Sequence, residues 1–445
     1  MKFAPLLRAA LLVSAVALIP ATTAGLAAVD GSAGPQFGRL IDVYRLVKAQ
    51  YVEPVDDQKL INGAIDGMLG ALDPHSNYLQ GATLTRLNTM IDGNYSGLGL
   101  SVVMDDGAVK VVSPMRGSPA DAAGVKAGDY ITHLDGKLIY GGELDDAVAQ
   151  MRGEAGTSIR LTLFRPGRDQ PFDLTVTRGV ITLEPVTWKL EKDIGVVSVN
   201  EFSRDVGVNV NKAIQDLRRQ AGGRLTGLVL DLRENPGGAL DEAVALSDLF
   251  LTKGDIVSQR GRNAQDNEYY KAESVFPGDA AKGLPMVVLI DAGSASASEI
   301  VAGALQDQHR AVIMGERSFG KGSVQSLFEL DRAHAVKLTT ARYFTPAGRS
   351  VQEGGVEPDI RVPQLSDPDA QRRNQLALRE SDLRRHLVNE VAMDDKKLEG
   401  DRQADPRFKQ TAEQLKAKGI EDFQLNYAIE TLRRTGGVAL AAKGK

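Results

Sequence analysis

The chain has 445 residues, of which 42% are hydrophobic and 25% charged, and its net charge is −5 at pH 7. This length predicts two or three domains, and the acidic balance argues against a general nucleic-acid-binding protein, which would show a clustered basic excess. The absence of cysteine excludes disulfides, thiolate metal sites and a cysteine nucleophile. The five histidines form no HExxH pattern, so no histidine-based metal centre is expected.

The first 28 residues have the order of a secretory signal peptide. Lys2 and Arg8 precede an apolar run from Ala9 to Pro20, and small residues follow through Ala28. The run is short for a membrane-spanning helix, which needs about 20 apolar residues. We therefore expect an exported, periplasmic protein, with a retained membrane anchor as the alternative.

The next segments predict a helical module and then a binding module. Apolar residues recur at helical spacing from Phe37 and again from Leu60 to Leu72, where Pro74 stops the helix, so residues 35–85 are interpreted as a small helical module. Residues 86–180 contain short strand-like runs, two short helices and a turn signal at Asp105-Asp-Gly. This pattern favours a compact α+β binding module.

From about Ile194 apolar strands alternate with helices, which predicts an α/β layered domain over residues 185–365, with helices covering its sheet. Residues 366–445 begin with a polar, charged tract. They end in a helix, Asp422 to Arg434, that is expected to dock on the protein or to dimerise.

A candidate nucleophile lies in Ile290-Asp-Ala-Gly-Ser-Ala-Ser-Ala-Ser-Glu-Ile, which joins a strand to a helix. Ser296 and Glu299 fit a Ser-x-x-Glu capping box, which marks Ser296 as the start of the helix. A serine at such a turn lies beside free backbone N–H groups that can hold an oxyanion. The alternative is an ordinary helix cap.

A nucleophilic serine needs a base, and no histidine suits this role. His309 lies at the far end of the same helix, about 20 Å away by helical rise. Lysine acts as a base only if burial lowers its pKa. Lys321 is the candidate, because its loop follows a strand, Ala311 to Gly315, that should neighbour the strand leading to Ser296. Flanking glycines would permit close approach of another backbone, and a solvated charge is the alternative.

The same lysine allows a second interpretation, since Gly315 to Lys321 matches the phosphate-binding pattern GxxxxGK. However, Gly322 follows where a P-loop carries the Ser or Thr that binds the metal. A nucleotide-dependent enzyme is therefore the less favoured alternative.

Longer blocks occur in order and resemble the C-terminal processing peptidases, or tail-specific proteases, which are serine proteases with a PDZ domain. The resemblance covers about residues 40 to 362. The blocks are Leu72-Asp-Pro-His-Ser-Asn-Tyr, Gly97-Leu-Gly-Leu, Asp231-Leu-Arg-Glu-Asn-Pro-Gly-Gly, Gly293-Ser-Ala-Ser-Ala-Ser-Glu-Ile, Gly315-Glu-Arg-Ser-Phe-Gly-Lys-Gly-Ser-Val-Gln and Thr339-Thr-Ala-Arg-Tyr-Phe-Thr-Pro-Ala-Gly-Arg-Ser-Val-Gln.

The resemblance implies an α+β multidomain fold, in which a crotonase-like α/β protease core carries a PDZ domain and helical N- and C-terminal segments. It places the nucleophile at Ser296, the base at Lys321 and a glutamine that orients the amine at Gln325. Four residues of strand span about 13 Å, whereas one helical turn brings residues i and i+4 together. We therefore expect a helical turn from Lys321 to Gln325.

The resemblance also implies binding groups. The oxyanion hole falls on the backbone N–H of Ala297 and of a glycine in Asn235-Pro-Gly-Gly, with Gly238 favoured over Gly237. The loop that receives the carboxylate of a substrate tail consists of Gly97, Leu98, Gly99 and Leu100, and the tail would add as a strand. Arg152 either couples peptide binding to the protease or is a surface arginine.

No cofactor or metal is implied. The expected partners are protein substrates with exposed C-terminal tails, an adaptor protein and further copies of the chain, and not nucleic acid. A catalytically silent PDZ scaffold is the remaining alternative.

Overall fold

The structure is a computed structural model. The predicted signal peptide, residues 1–28, lies outside the described residues, as does much of the polar tract after residue 366. No helix of the described ranges is long and apolar enough to cross a membrane. The described residues are 34–81, 83–85, 87, 94–105, 107–115, 117–140, 144–168, 170–182, 184–273, 278–331, 333–368, 379–390 and 405–435.

The N-terminal module consists of helices α1 (Gly34–Gln50) and α2 (Asp57–Gly70) and strand β1 (Asn77–Gln80), and the two predicted helices are confirmed. Asp56 caps α2, since its carboxylate accepts the Lys59 N–H at 3.0 Å. Strand β1 then pairs with a strand of the α/β core. This pairing holds the turn between α2 and β1 against that core.

The second module is built on a sheet of order β3-β4-β5-β7-β8, with β3 at its edge. Its apolar side chains alternate along the strands and pack with two short helices. Its elements are β2 (Asn94–Gly97), β3 (Leu100–Asp105), β4 (Ala108–Pro114), α3 (Pro119–Ala122), β5 (Tyr130–Leu134), β6 (Lys137–Leu138), α4 (Leu144–Met151), β7 (Ser158–Phe164), β8 (Phe172–Thr177) and β9 (Gly179–Thr182).

The core contains a six-stranded sheet in which only the edge pair β10–β11 is antiparallel. The five residues of β15 are all buried, as expected for a parallel strand covered on both faces. In sheet order the strands are β10 (Val186–Glu191), β11 (Ile194–Val199), β12 (Gly227–Asp231), β15 (Met286–Ile290), β16 (Val312–Gly315) and β19 (Ile360–Arg361).

Helices cover both faces of this sheet. On one face lie α5 (Val206–Gln220), α6 (Leu240–Asp248) and α7 (Ala297–Asp307). Besides α8 (Ala412–Ala417), the C-terminal region contains α9 (Phe423–Thr435), which packs its apolar residues on the opposite face. The last helix therefore docks on its own chain.

A second sheet, of order β1-β18-β13-β14, lies beside the first, and β17 pairs with β18. Its strands from the core are β13 (Asp255–Gly261), β14 (Glu268–Lys271), β17 (Ser323–Glu329) and β18 (His334–Phe344). Because β17 begins two residues after Lys321, this sheet carries the candidate base.

Candidate active site

The turn before α7 holds Ser296 in a strained conformation. Its φ of 53° and ψ of −109° are rare for a residue with a side chain. Two hydrogen bonds fix the turn: the Ser296 N–H donates to Oε2 of Glu299 at 2.8 Å, and its carbonyl accepts the Tyr343 hydroxyl at 3.1 Å. Strain of this kind costs about 1–3 kcal/mol and clusters at active sites.

The structure distinguishes Ser296 from the two serines beside it. The Ser294 hydroxyl donates to the carbonyl of Leu232 at 2.8 Å, and that of Ser298 donates to the carbonyl of Asn235 at 2.9 Å. Both of these serines are fully buried, whereas Ser296 is half-buried. Ser296 is therefore the serine of this motif that a substrate can reach.

Two backbone N–H groups were predicted to hold an oxyanion, those of Ala297 and Gly238. Ala297 is the first residue of α7, so its N–H has no acceptor within the helix. The Gly237 N–H donates to Oδ1 of Asn235 at 2.9 Å, which leaves Gly238 as the available glycine. Within the described ranges, neither the Ala297 nor the Gly238 N–H donates to a protein acceptor.

Gly237 brings this loop close to the serine. Its φ is +104°, and a Cβ there would lie 2.9 Å from Cβ of Ser296. A larger residue would push the loop away from Ser296.

The loop that carries Lys321 opens beside the serine turn, as predicted. Strands β15 and β16 are parallel neighbours, with Ile290 opposite Gly315, so the loops that follow them lie at one edge of the sheet. The predicted close approach at the flanking glycines is also confirmed. A Cβ at Gly320 would lie 2.7 Å from the Glu353 carbonyl oxygen, and one at Gly322 would lie 2.7 Å from the Gln352 nitrogen.

Glu299 joins the two loops. Its Oε2 accepts the N–H of Ser296 at 2.8 Å and that of Lys321 at 2.9 Å, while its Oε1 accepts the Ser318 hydroxyl and the Gly320 N–H. Burial raises the pKa of Glu299 to about 7, and these hydrogen bonds oppose the rise. Its capping box was readable from the sequence, but its contact with the lysine loop was not.

The amine of Lys321 donates to Oε1 of Gln325 at 2.5 Å, but the predicted helical turn is wrong. Strand β17 begins at Ser323, so the segment is extended. Residues i, i+2 and i+4 of an extended segment share one face, and the long lysine and glutamine side chains together bridge the distance between them. Gln325 also donates to Oγ of Ser323 at 2.9 Å and to Oγ1 of Thr339 at 3.2 Å.

The surroundings of Lys321 make its amine easier to deprotonate. Its pKa is lowered to about 8, mainly by burial and additionally by the positive charge of Lys337. Three carboxylates oppose these effects, those of Glu380, Glu299 and Asp73. Both dyad candidates are described, and no hydrogen bond joins the Lys321 amine to the Ser296 hydroxyl. Catalytic contacts of this kind often tighten only when substrate binds.

The segment after Lys321 also bears on the phosphate-binding alternative. A P-loop leads into a helix whose N-terminus binds phosphate, whereas here the loop leads into β17. The amine is already engaged with Gln325. Both observations argue against nucleotide binding.

The predicted carboxylate-binding loop lies between β2 and edge strand β3. Gly99 has a φ of +72°, and a Cβ there would collide with Ser118, so glycine is required. The Arg152 guanidinium lies 5.1 Å from the ring centroid of Tyr95, whose ring borders Gly97. Arg152 is therefore beside this loop.

Other residues around the lysine were not identified from the sequence. Some of them fall in the blocks that resemble the C-terminal processing peptidases, which was the available signal, whereas Lys337 and Glu380 lie outside every block. The residues around Lys321 that were not identified from the sequence are Asp73, His75, Lys337, Thr339, Tyr343 and Glu380.

Comparison with known proteins identifies the family of this chain. The family model for peptidase family S41 matches residues 193–362, and that for the PDZ domain matches residues 110–165. A carboxy-terminal-processing protease of Bartonella bacilliformis is 44% identical over 399 residues, which cover 89% of this chain and 88% of the relative. This chain belongs to peptidase family S41. It is a serine hydrolase with the predicted α+β multidomain fold.

Further similarities of this S41 peptidase extend to its N-terminal module. The family model described as the activating protease CtpB N-terminal domain matches residues 22–83. The carboxy-terminal processing protease CtpA of Bacillus subtilis is 35% identical over 329 residues, which cover 74% of this chain and 69% of the relative. Among solved structures, a photosystem II D1 C-terminal processing protease is 32% identical with a TM-score of 0.45, covering 74% of this chain and 87% of that one.

Proposed function

We propose that this S41 peptidase cleaves exported polypeptides near their C-terminal ends, with Ser296 as nucleophile and Lys321 as general base. The observation that carries the proposal is the amine of Lys321. It has a lowered pKa, and its loop is tied through Glu299 to the turn that presents Ser296.

The mechanism follows from these groups. The neutral Lys321 amine takes the hydroxyl proton of Ser296 as its oxygen attacks the scissile carbonyl, and Gln325 orients the amine. The oxyanion is held by the N–H groups of Ala297 and Gly238. The protonated amine then gives its proton to the leaving nitrogen, and water releases the acyl group from the serine. The flexible lysine stem must first bring the amine from Gln325 to the hydroxyl.

A fluorophosphonate probe tests the nucleophile, because it forms a covalent bond with an activated serine hydroxyl. We expect mass spectrometry to find one modification, on Ser296, and none on the Ser296→Ala variant. The Ser298→Ala variant is the matched control and should keep the label on Ser296. A label on another serine, or none on the active wild-type enzyme, would contradict the assignment.

The PDZ domain is proposed to bind the C-terminal tail of the substrate. Edge strand β3 can pair with an added peptide strand. The preceding loop, Gly97 to Leu100, would offer backbone N–H groups to the carboxylate. Arg152 lies beside that loop and supplies a positive charge.

Amidation of the substrate tail tests this recognition. Because an amide lacks the negative charge, we expect kcat/KM to fall by about tenfold or more relative to the free acid. The Arg152→Ala variant should lower kcat/KM for the free acid and discriminate less between the two peptides. Equal cleavage of both peptides by the wild-type enzyme would contradict carboxylate recognition.

The proposal extends to location and assembly. Residues 1–28 are proposed to export the protein to the periplasm. Residues 35–85, 86–180, 185–365 and 366–445 are proposed as its helical module, PDZ domain, protease core and C-terminal region. Since α9 is docked, self-association is assigned to the N-terminal helices, where Phe37, Leu40 and Ile41 are each 45–49% exposed. An adaptor protein is also proposed as a partner of this chain.

A further inference from the structure

Glu380 is a fully buried carboxylate in a short turn, Glu380–Asp382, beyond the residues that match the peptidase family model. A charge without solvent needs partners. Nε2 of His75 lies 2.8 and 3.0 Å from its two oxygens, and Nε2 of Gln352 donates to Oε1 at 3.0 Å. The group is thus held by the turn after α2 and by the protease core.

These contacts reach the lysine loop on both sides of Lys321. The backbone N–H of Glu380 donates to the Phe319 carbonyl at 3.2 Å. Its side chain binds Gln352, whose Oε1 accepts the Gly322 N–H at 2.9 Å. Glu380 therefore binds Phe319, two residues before the lysine, directly. It binds Gly322, the residue after the lysine, through the side-chain amide of Gln352.

The turn that supplies His75 also leads to the amine itself. Lys321 donates to Gln325, Gln325 donates to Thr339, and Thr339 donates to Oδ1 of Asp73 at 3.1 Å. The same Asp73 oxygen accepts the His75 N–H at 2.8 Å. Each hydrogen bond in this series is donated in the direction from Lys321 to Asp73. Gln325 therefore accepts through Oε1 and donates through Nε2, which fixes the orientation of its amide.

We infer that Glu380, clamped by His75, is a positioning residue that fixes the lysine loop and whose negative charge acts on the amine of Lys321. This inference rests on the proposed role of Lys321 as the base. The C-terminal segment then contributes to the active site, although it lies outside the matched peptidase region.

The negative charge of Glu380 should affect the pH dependence of activity, which a purely structural role would leave unchanged. The charged and titratable groups around the amine lie on several elements. They are Lys337 and Tyr343 on β18, Glu299 on α7, Asp73 and His75 on the turn after α2, and Glu380. Carboxylates favour the charged amine, whereas Lys337 disfavours it. Removing Glu380 or Lys337 should therefore shift the pH dependence in opposite directions.

The test is the pH profile of kcat/KM for full-length enzyme on an unstructured peptide. We expect Glu380→Gln to move the acidic limb to lower pH by about half a unit and to lower the plateau by about tenfold or more through misplacement of the amine. Lys337→Gln should move the limb to higher pH. The control is Asp279→Asn, which removes another partly buried carboxylate of the core, paired with Arg310 at 3.0 Å, and should leave the limb in place.

A limb that stays at the wild-type pH in Glu380→Gln overturns the inference, whatever the plateau does. If that variant does not fold, Glu380→Asp decides, because it keeps the charge but shortens the reach. For Glu380→Asp, a lower plateau of kcat/KM with an unmoved limb supports the inference, whereas a wild-type rate overturns it. Failure of the proposed function is separable, since it would appear as undiminished activity of Lys321→Ala.

Discussion

Replacing Ser296 with alanine is expected to lower kcat/KM for an unstructured polypeptide by about 10⁴-fold or more. The variant loses the oxygen that attacks the carbonyl, while the N–H groups of Ala297 and Gly238 remain. Substrate affinity should therefore survive, and the loss should appear in kcat. The measurement is initial-rate kinetics followed by mass spectrometry of the products.

Thermal unfolding is the control for this variant, because the fold around the serine turn depends on backbone contacts with Glu299 and Tyr343 that alanine keeps. A melting temperature close to that of the wild type would exclude unfolding as the cause. Cleavage at the wild-type rate would instead assign the reaction to another nucleophile.

The Lys321→Ala variant is expected to lose about 10³-fold or more in kcat/KM, since it lacks the amine that is proposed to take the Ser296 proton. Lys321→Arg should not restore activity, because a guanidinium stays charged and cannot act as a base at these pH values. The neutral amine is the active form, and its pKa is about 8. Wild-type activity should therefore rise with pH through about 8, and this limb should vanish in both variants.

Lys253→Ala removes an exposed lysine of the same domain and serves as the matched control, with unchanged kinetics expected. An acidic limb that persists in Lys321→Ala would assign the titration to another group.

Much of the serine turn could be predicted from the sequence, because its determinants are local. The apolar strand β15, the serine that begins α7 and the glutamate three residues later all lie within one short stretch. The adjacency of the lysine loop also followed from alternating strands and helices. The predicted helical turn from Lys321 to Gln325 is wrong because the lysine and glutamine side chains are long enough to meet along an extended segment.

The rest depends on contacts that a linear sequence does not display. His75 and Glu380 are 305 residues apart, and their pairing requires β1 to join β18. The apolar pattern of α9 fitted docking and dimerisation equally well, and the apolar face of the six-stranded sheet that α9 covers decides between them.

The central claim is that the pKa of the Lys321 amine is lowered to about 8, so that about a tenth of it is neutral at pH 7, and its own titration tests this most directly. The measurement is an NMR titration of ¹³C-lysine-labelled Ser296→Ala enzyme, which cannot digest itself, with the Lys321 signal assigned by its absence from the Ser296→Ala/Lys321→Ala double variant. The account predicts a midpoint near pH 8, whereas a midpoint near the ordinary lysine value of 10.5 would contradict it.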